Sequence, residues 1–235
     1  MTNKAVPSTM TQRESFLSGK WRILVVDDHP TFREGLKKMI GFESDLSVCG
    51  EADSAPNALD AMRRLNPDLV TVDIALKGSN GLELIKAIKA EKPTLPILTI
   101  SMHDESLYAI RALRAGAAGY VMKQESLELM MHALREVLKG NMFVSRDLNN
   151  KLLSEILKPV NGDGNGIKDR LSDRELEIFE HIGNFISLRE IAEKLNLSIK
   201  TVETHRLHIK EKLDIATARE LAQLARGWVE SEVKY

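Results

Sequence analysis

The chain has 235 residues, of which 43% are hydrophobic and 29% are charged, and its formal net charge is -1. These values are typical of a globular protein with one large or two small domains, and the near-neutral charge indicates no class of partner. The single cysteine, Cys49, excludes an intrachain disulfide and predicts a reducing compartment, the cytoplasm. No apolar stretch reaches the ~18 residues of a membrane span. The polar residues 1–19 are expected to be a disordered arm rather than a secretion signal.

Strand-like and helix-like runs alternate through residues 20–140. Unalternating apolar runs predict strands buried on both faces of a parallel sheet, and they span residues 23–26, 69–72, 97–100 and 120–122. Stripes of apolar residues at helical spacing lie at Phe32–Ile40, Leu59–Leu65, Leu82–Ile88, Tyr108–Leu113 and Leu127–Leu138. Five strand–helix repeats predict an α/β fold, a doubly wound five-stranded parallel sheet with helices on both faces.

The pattern changes after residue 140, and no strand is predicted from residue 171 onward. Residues 141–170 predict a linker, with a helix over Arg146–Leu157 that ends at Pro159 and a flexible hinge at Asn161–Gly166. Residues 171–235 predict a small all-α domain with helices near 173–183, 188–195, 199–213 and 218–228. Capping boxes at Ser172, Ser187 and Thr217 and a simple N-cap at Ser198 mark the helix starts.

Four predicted strands end in polar residues, which are Asp27 with Asp28, then Asp73, Ser101 and Lys123. In open α/β sheets, ligands bind at the carboxyl ends of the strands, so these side chains are expected to converge. Three carboxylates favour a hard cation such as Mg²⁺. The Ser101 hydroxyl and the Lys123 ammonium suit a phosphoryl group, and one carboxylate is free to act as a nucleophile. Taken alone, Asp27 and Asp28 are equally explained as a helix cap.

These motifs, in order and spacing, resemble the receiver domain of two-component response regulators, which has a flavodoxin-like fold. The resemblance rests on Val25–Pro30, Val72–Asp73, Thr99–Asp104 and Gly119–Lys123. It implies that Asp73 is the phospho-acceptor. It also implies Mg²⁺ bound by Asp28 and Asp73, with Asp27 acting through water and the Ala75 backbone carbonyl as the third protein ligand.

The resemblance further implies that Ser101 and Tyr120 form a switch pair, in which the hydroxyl moves to the phosphoryl group and the ring follows inward. A half-buried core aromatic is the alternative interpretation of Tyr120. The chain departs from the family pattern after Asp73, where Lys77 and Asn80 replace a frequent Pro and Asp. This departure concerns the stiffness of the loop, because every pocket residue is retained.

The predicted helix 199–213 has one packed face, formed by Val202, Ile209 and Leu213. Its outward face carries Lys200, Thr204, Leu207 and Glu211. An outward Leu207 suits contact with a thymine methyl group. A surface helix with one stray leucine is the alternative.

The C-terminal motifs are similar to the LuxR-type helix-turn-helix, at Leu171–Glu175, Glu190–Leu195, Lys200–Arg206 and Lys212–Leu213. The resemblance implies that 188–195 is the scaffold helix and 199–213 the recognition helix. The expected DNA-binding residues are Lys200, Thr201, Glu203, Thr204, His205, Arg206, Leu207 and Lys210. Among them, Glu203, Thr204 and Leu207 are expected to read base edges, whereas Lys200, His205, Arg206 and Lys210 are expected to hold phosphates.

The last helix is predicted to have a large face, with Leu221, Leu224 and Trp228, and a small face, with Ala218, Ala222 and Ala225. The resemblance implies that the small face pairs two DNA-binding domains, and core packing is the alternative.

Together the two resemblances predict a phosphorylation-dependent DNA-binding transcriptional regulator rather than an enzyme. Its expected partners are a sensor histidine kinase, double-stranded DNA and a second copy on activation, with no membrane. Unphosphorylated, the receiver is expected to sit against the recognition helix or to leave the protein monomeric.

Two alternatives stay open at this point. The receiver could be an unphosphorylated interaction module on a constitutive DNA binder. A phosphatase-like enzyme is less favoured, because it needs a carboxylate two residues after the nucleophile and Ala75 occupies that position.

Overall fold

The computed structural model describes residues 19–76, 78–103, 105–146, 148–150 and 167–232. The predictions for the N-terminal arm, for Lys77, for the linker helix beyond residue 150 and for the hinge therefore lie outside the described residues. The described start of the linker helix, at 146 and 148–150, is helical as predicted.

The α/β domain contains a five-stranded parallel sheet and five helices. Its sheet strands are β1 (Trp21–Val26), β2 (Leu46–Ala52), β3 (Leu69–Val72), β6 (Ile97–Ser101) and β7 (Gly119–Met122), and β4 (Ala75–Leu76) and β5 (Ser79–Asn80) form a separate hairpin. Its helices are α1 (Pro30–Phe42), α2 (Ala55–Leu65), α3 (Gly81–Glu91), α4 (Glu105–Ala115) and α5 (Leu127–Leu138).

The strand order is β2-β1-β3-β6-β7, and every neighbouring pair in this sheet is parallel. One apolar cluster packs α2, α3 and α4 against one face, and a second packs α1 and α5 against the other. Because both faces are covered, β3 and β6 are buried along their whole length. The predicted doubly wound sheet is confirmed. The strand order reverses beside β1 and β3, and this reversal places the ends of both strands at one crevice.

The hairpin directly after Asp73 is a feature that the sequence analysis did not predict. Ala75 pairs with Asn80 across it, and the Asn80 side chain accepts a hydrogen bond from the backbone N–H of Leu82 at 2.8 Å, which caps α3. The next residue, Gly81, lies so close to the strand end that an added Cβ would stand 2.0 Å from the carbonyl oxygen of Asp73. Asn80 and Gly81 therefore fix the backbone on which Asp73 is presented.

The C-terminal domain is helical, as predicted. Its helices are α6 (Ile167–Arg170), α7 (Asp173–Gly183), α8 (Leu188–Lys194), α9 (Ile199–Leu213) and α10 (Ala218–Glu232). Reciprocal capping boxes are present at Ser172 and Ser187. Thr217 and Glu220 exchange the same pair of bonds at 3.1 Å, and Ser198 accepts from the Thr201 N–H at 3.0 Å. Since each cap satisfies backbone donors that the first turn leaves open, these residues set where the helices begin.

The predicted large and small faces of α10 do not correspond to one buried and one exposed side, and Ala225 of the small face packs in the core, which was the alternative interpretation. Leu221 and Ala225, placed on different faces, are both fully buried in the domain core, whereas Leu224 is 39% exposed. The reason is close packing against α7, because a Cβ added to Gly183 would lie 2.5 Å from the Ala225 carbonyl oxygen. The small side chains thus allow the two helices to approach each other within one domain.

Candidate functional site

The acidic strand ends and the lysine converge, as the sequence predicted. Lys123 Nζ lies 2.6 Å from Asp27 Oδ2 and 2.7 Å from Asp73 Oδ2. The three side chains are only 1–3% exposed. A lysine held between two buried carboxylates leaves a net negative charge at the crevice.

Asp27, Asp28, His29 and Asp73 each offer one ligand atom, and these atoms lie within 4.8 Å of one another. Burial raises the pKa of Asp27, and the neighbouring Asp73 carboxylate raises it further, although Lys123 acts in the opposite direction. A buried cluster of carboxylates in which the pKa of Asp27 is raised fits a divalent cation with oxygen ligands, and Mg²⁺ meets that description. The residues present therefore fit the expected ion.

His29 belongs to this cluster, and the sequence analysis did not assign it a role. Its Nδ1 atom lies 2.7 Å from Asp28 Oδ1, and its backbone N–H donates to Asp27 Oδ1 at 2.8 Å. The only sequence signal is its position directly after the acidic pair, which does not reveal where the ring points.

The remaining predicted site residues lie in β6, in β7 and in the hairpin after Asp73. Ser101 is buried at the end of β6, and its Oγ atom accepts from the backbone N–H of His103 at 3.4 Å. Tyr120 is 1% exposed within the core, and its hydroxyl donates to the His103 carbonyl at 2.7 Å. The backbone N–H of Ala75 donates to Asp73 Oδ1 at 3.4 Å. Both members of the expected switch pair thus hold the same backbone segment.

The two domains meet along α4 and the first turns of α7. Arg111 forms an ion pair with Asp173, and its Nη2 atom donates to the Leu171 carbonyl at 3.0 Å. The Tyr108 hydroxyl donates to Glu180 Oε2 at 2.8 Å. These contacts tie the helix that follows β6 to the C-terminal domain.

A second group of contacts starts at the hairpin after Asp73. Asn80 donates to Glu177 Oε2 at 3.3 Å, and Glu177 is 1% exposed. His103 Nδ1 lies 4.0 Å from Glu180 Oε2, and its ring stacks at a tilt on Tyr108 with the centroids 4.4 Å apart. Trp228 packs against the apolar clusters of both domains.

Through these side chains the α/β domain contacts α7. The expected contact was with the recognition helix, and these side chains do not make it. On α9, the packed face of Val202, Ile209 and Leu213 is buried, as predicted. The expected base readers Glu203, Thr204 and Leu207 are exposed, as is Lys200. The other expected DNA-binding residues, which are Thr201, His205, Arg206 and Lys210, are half-buried. The hydroxyl groups of Thr201 and Ser198 are hydrogen-bonded to each other at 2.8 Å.

Within the described residues, no helix combines the length and the apolar character needed to cross a bilayer. Residues 23–135 match the family described as the response regulator receiver domain, and residues 169–225 match the bacterial regulatory proteins of the luxR family.

Known proteins are similar to this chain in sequence or in structure. The response regulator GacA of Pseudomonas aeruginosa is 36% identical over 204 residues, which covers 87% of this chain and 94% of GacA. A LuxR-family two-component response regulator from Aurantimonas sp. SI85-9A1 superposes with a TM-score of 0.55 at 33% identity, covering 59% of this chain and 99% of that one. RcsB from Salmonella enterica serovar Typhimurium, bound to a promoter with a phosphomimetic, gives a TM-score of 0.56 at 25% identity over 87% of this chain and 97% of RcsB. The chain belongs to the two-component response regulators, the transcriptional regulators that join a receiver domain to a LuxR-type DNA-binding domain.

Proposed function

We propose that Asp73 accepts a phosphoryl group from the phosphohistidine of a sensor kinase and that this modification controls DNA binding. The observation that carries the proposal is the buried contact of Lys123 with Asp73 inside a cluster of carboxylates. In the transfer, an Asp73 carboxylate oxygen forms a bond to phosphorus while the P–N bond breaks, and the imidazole keeps that electron pair.

The chain's own residues supply the positioning that phosphoryl transfer needs. Asp28 and Asp73 would hold Mg²⁺ with the Ala75 carbonyl, and Asp27 would act through water. When bound, this ion neutralises charge on the phosphoryl oxygens. Lys123 supplies a second positive charge, and the Ser101 hydroxyl can donate to a phosphoryl oxygen.

The same residues connect the pocket around Asp73 to the contact between the two domains. Ser101 Oγ and the Tyr120 hydroxyl both hold the His103 backbone, and His103 and Tyr108 lie beside Glu180 of α7. If Ser101 turns toward a phosphoryl group on Asp73, His103 loses one of these bonds. The contact of α4 with α7 is then weakened at Glu180, and the DNA-binding domain is released.

We further propose that the released domain binds double-stranded DNA with α9 in the major groove and that two copies bind together. The exposed Lys200, Glu203, Thr204 and Leu207 support this orientation. Two-fold pairing matches half-sites one helical turn apart. RcsB dimers bound to DNA are described among the similar structures. We propose a regulator rather than an enzyme, because Ala75 offers no acid two residues after Asp73.

The test is the affinity of the full chain for DNA, with a target selected from random sequences, in Mg²⁺ with and without beryllofluoride. We expect the mimic to tighten binding by roughly 5–150-fold, the usual range of allosteric coupling. Asp73→Asn should bind like the untreated protein under both conditions. The control Asp60→Asn, at an exposed position of α2, should respond like the parent. Tight binding by every variant without the mimic would instead support a constitutive DNA binder.

A further inference from the structure

We propose that Glu175, His205 and His208 form a second metal site, which takes a divalent transition metal of the Zn²⁺ class. One carboxylate oxygen and one ring nitrogen from each histidine lie within 4.8 Å of one another. The site joins α7 of the DNA-binding domain to the recognition helix, α9. It is separate from the acidic pocket of the receiver.

The helices place the three ligands before any metal binds. Glu175 is the third residue of α7, where the capping box with Ser172 fixes its side chain. His205 and His208 are three residues apart on α9, a spacing that puts both rings on one side of the helix. Val202 and Ile209 of α9 are buried in the same core as Leu176 of α7, so the two helices are held against each other.

The donor set favours zinc over magnesium. Two imidazoles with one carboxylate are a typical three-ligand set for Zn²⁺, with a fourth position open to water or another ligand. Mg²⁺ prefers oxygen ligands, which the receiver pocket supplies. Bonds of about 2.1 Å in a tetrahedron require donors about 3.4 Å apart, so the cluster must tighten slightly on binding. The exposed side chain of His208 can make that adjustment.

Lys212 is the group with which the metal competes. Its Nζ atom lies 2.5 Å from Glu175 Oε2, and the Ser172 N–H donates to the same oxygen at 2.8 Å. The hydrogen bonds that the structure describes for this carboxylate therefore converge on one of its two oxygens. The Lys212 side chain is 41% exposed, so its ammonium can turn away into solvent when a cation arrives.

The experiment is a Co²⁺ titration of the full chain in excess Mg²⁺, followed by displacement with Zn²⁺. Tetrahedral Co²⁺ with nitrogen ligands absorbs strongly in the visible range, whereas octahedral Co²⁺ among oxygen ligands absorbs weakly. We expect the strong band in the parent and its loss when Zn²⁺ is added. His208→Asn should weaken Co²⁺ affinity by roughly 10–100-fold or more, because loss of even an outer-shell group has that effect.

Two further variants separate this site from other sources of the signal. His132→Asn removes an exposed histidine from α5 and should leave the band unchanged. Asp28→Asn disables the receiver pocket and should also leave it unchanged. Thermal unfolding without metal checks that His208→Asn is folded. The proposal is overturned if folded His208→Asn keeps the parent's band, or if Asp28→Asn removes it.

Discussion

Among the described glycines, Gly81 makes the closest approach to another part of the backbone, and that part is Asp73. We expect Gly81→Ala to lower the free energy of unfolding by about 1–3 kcal/mol, because the new methyl group overlaps the Asp73 backbone. An added Cβ would also stand 2.7 Å from Ile74 Cα, so Asp73 must move. Phosphorylation by a small-molecule phosphodonor should slow at the same time. Urea unfolding and a phosphorylation time course measure the two effects.

Gly41→Ala is the matched control for this prediction. Gly41 lies in α1, and no described atom falls within 4 Å of an added Cβ. Alanine there should leave phosphorylation unchanged and raise stability by up to about 1 kcal/mol, since it restricts the unfolded chain. If Gly81→Ala unfolded and reacted like Gly41→Ala, the close approach to Asp73 would have no consequence.

A second residue-scale prediction concerns His181, on α7. Burial, and then the positive charges of His103, Lys194 and Arg174, lower its pKa from 6.5 to about 4. Between pH 4 and pH 6.5, the unfolded chain therefore binds a proton at His181 that the folded chain does not bind. Stability is lost as the pH falls from about 6.5 to about 4, by at most about 3 kcal/mol from this group.

The comparison of the parent with His181→Gln isolates this contribution. Denaturant unfolding between pH 4 and pH 7 should show a shallower loss of stability in the variant. His132→Gln, which removes an exposed histidine, should follow the parent curve. Parallel curves for the parent and His181→Gln would show that the buried imidazole contributes nothing.

The contacts of Asp27, Asp73 and Lys123 could be predicted from the sequence, since parallel strands bring their carboxyl ends to one edge. The position of His29 in the metal cluster could not, because a ring's direction depends on its rotamer. His181 could not be recognised as a buried histidine either. Its surroundings include His103 of the other domain, and sequence periodicity carries no information about packing between domains.

At the scale of elements, α9 separates two kinds of DNA contact. Lys200 is exposed and is proposed to hold a phosphate, so Lys200→Gln should weaken binding to all sequences alike. The slope of log affinity against log salt should fall by about 0.9. Fluorescence anisotropy at several salt concentrations measures both values.

Leu207→Ala serves as the contrasting variant on the same helix. Leu207 is 54% exposed and is proposed to touch a thymine methyl group. Its loss should reduce the discrimination against the wrong base at one base pair by about 1–3 kcal/mol. The slope of log affinity against log salt should stay unchanged. A uniform loss over all sequences would place Leu207 in the packing of α9 rather than at a base.

Helix boundaries followed well from the capping residues, whereas the faces of α10 did not. The predicted large and small faces are adjacent on the helix surface. The core packs against the boundary between them and buries Leu221 of one face together with Ala225 of the other. A single helix cannot indicate which arc its neighbour covers. The close approach of Gly183 and Ala225 determines which side of α10 is buried, and that approach depends on the packing of two helices.

At the scale of the whole molecule, Arg111 of α4 joins the receiver to the C-terminal domain through Asp173 and the carbonyl of Leu171. We expect Arg111→Gln to raise the DNA affinity of the unphosphorylated protein by roughly 5–150-fold, because the ion pair with Asp173 and the bond to Leu171 are lost. DNA binding without beryllofluoride is the measurement. The control Arg63→Gln removes an exposed ion pair with Glu91 on the receiver and should change nothing.

Asp173→Asn tests the same contact from the other domain. Asp173 also pairs with Lys86 of α3 at 3.1 Å, so Asp173→Asn removes more than the contact with Arg111. Because both single variants lose the same Arg111–Asp173 ion pair, the gain in DNA affinity of the double variant should be smaller than the two single gains combined. Unchanged affinity in all three would show that the domain contact does not restrain DNA binding. This arrangement could not be predicted from the sequence, since charged residues on a helix have no periodic pattern that identifies their partner.

Trp228 gives the domain contact an optical readout. Its indole packs against the apolar clusters of both domains and lies beside Phe179, with ring centroids 5.5 Å apart. The other tryptophan, Trp21, belongs to the opposite face of the sheet, and a Trp21→Phe variant would leave a single emitter. When the domains separate, water reaches the indole and its emission shifts to longer wavelength. The activation step is thereby visible in the unlabelled protein on the stopped-flow timescale.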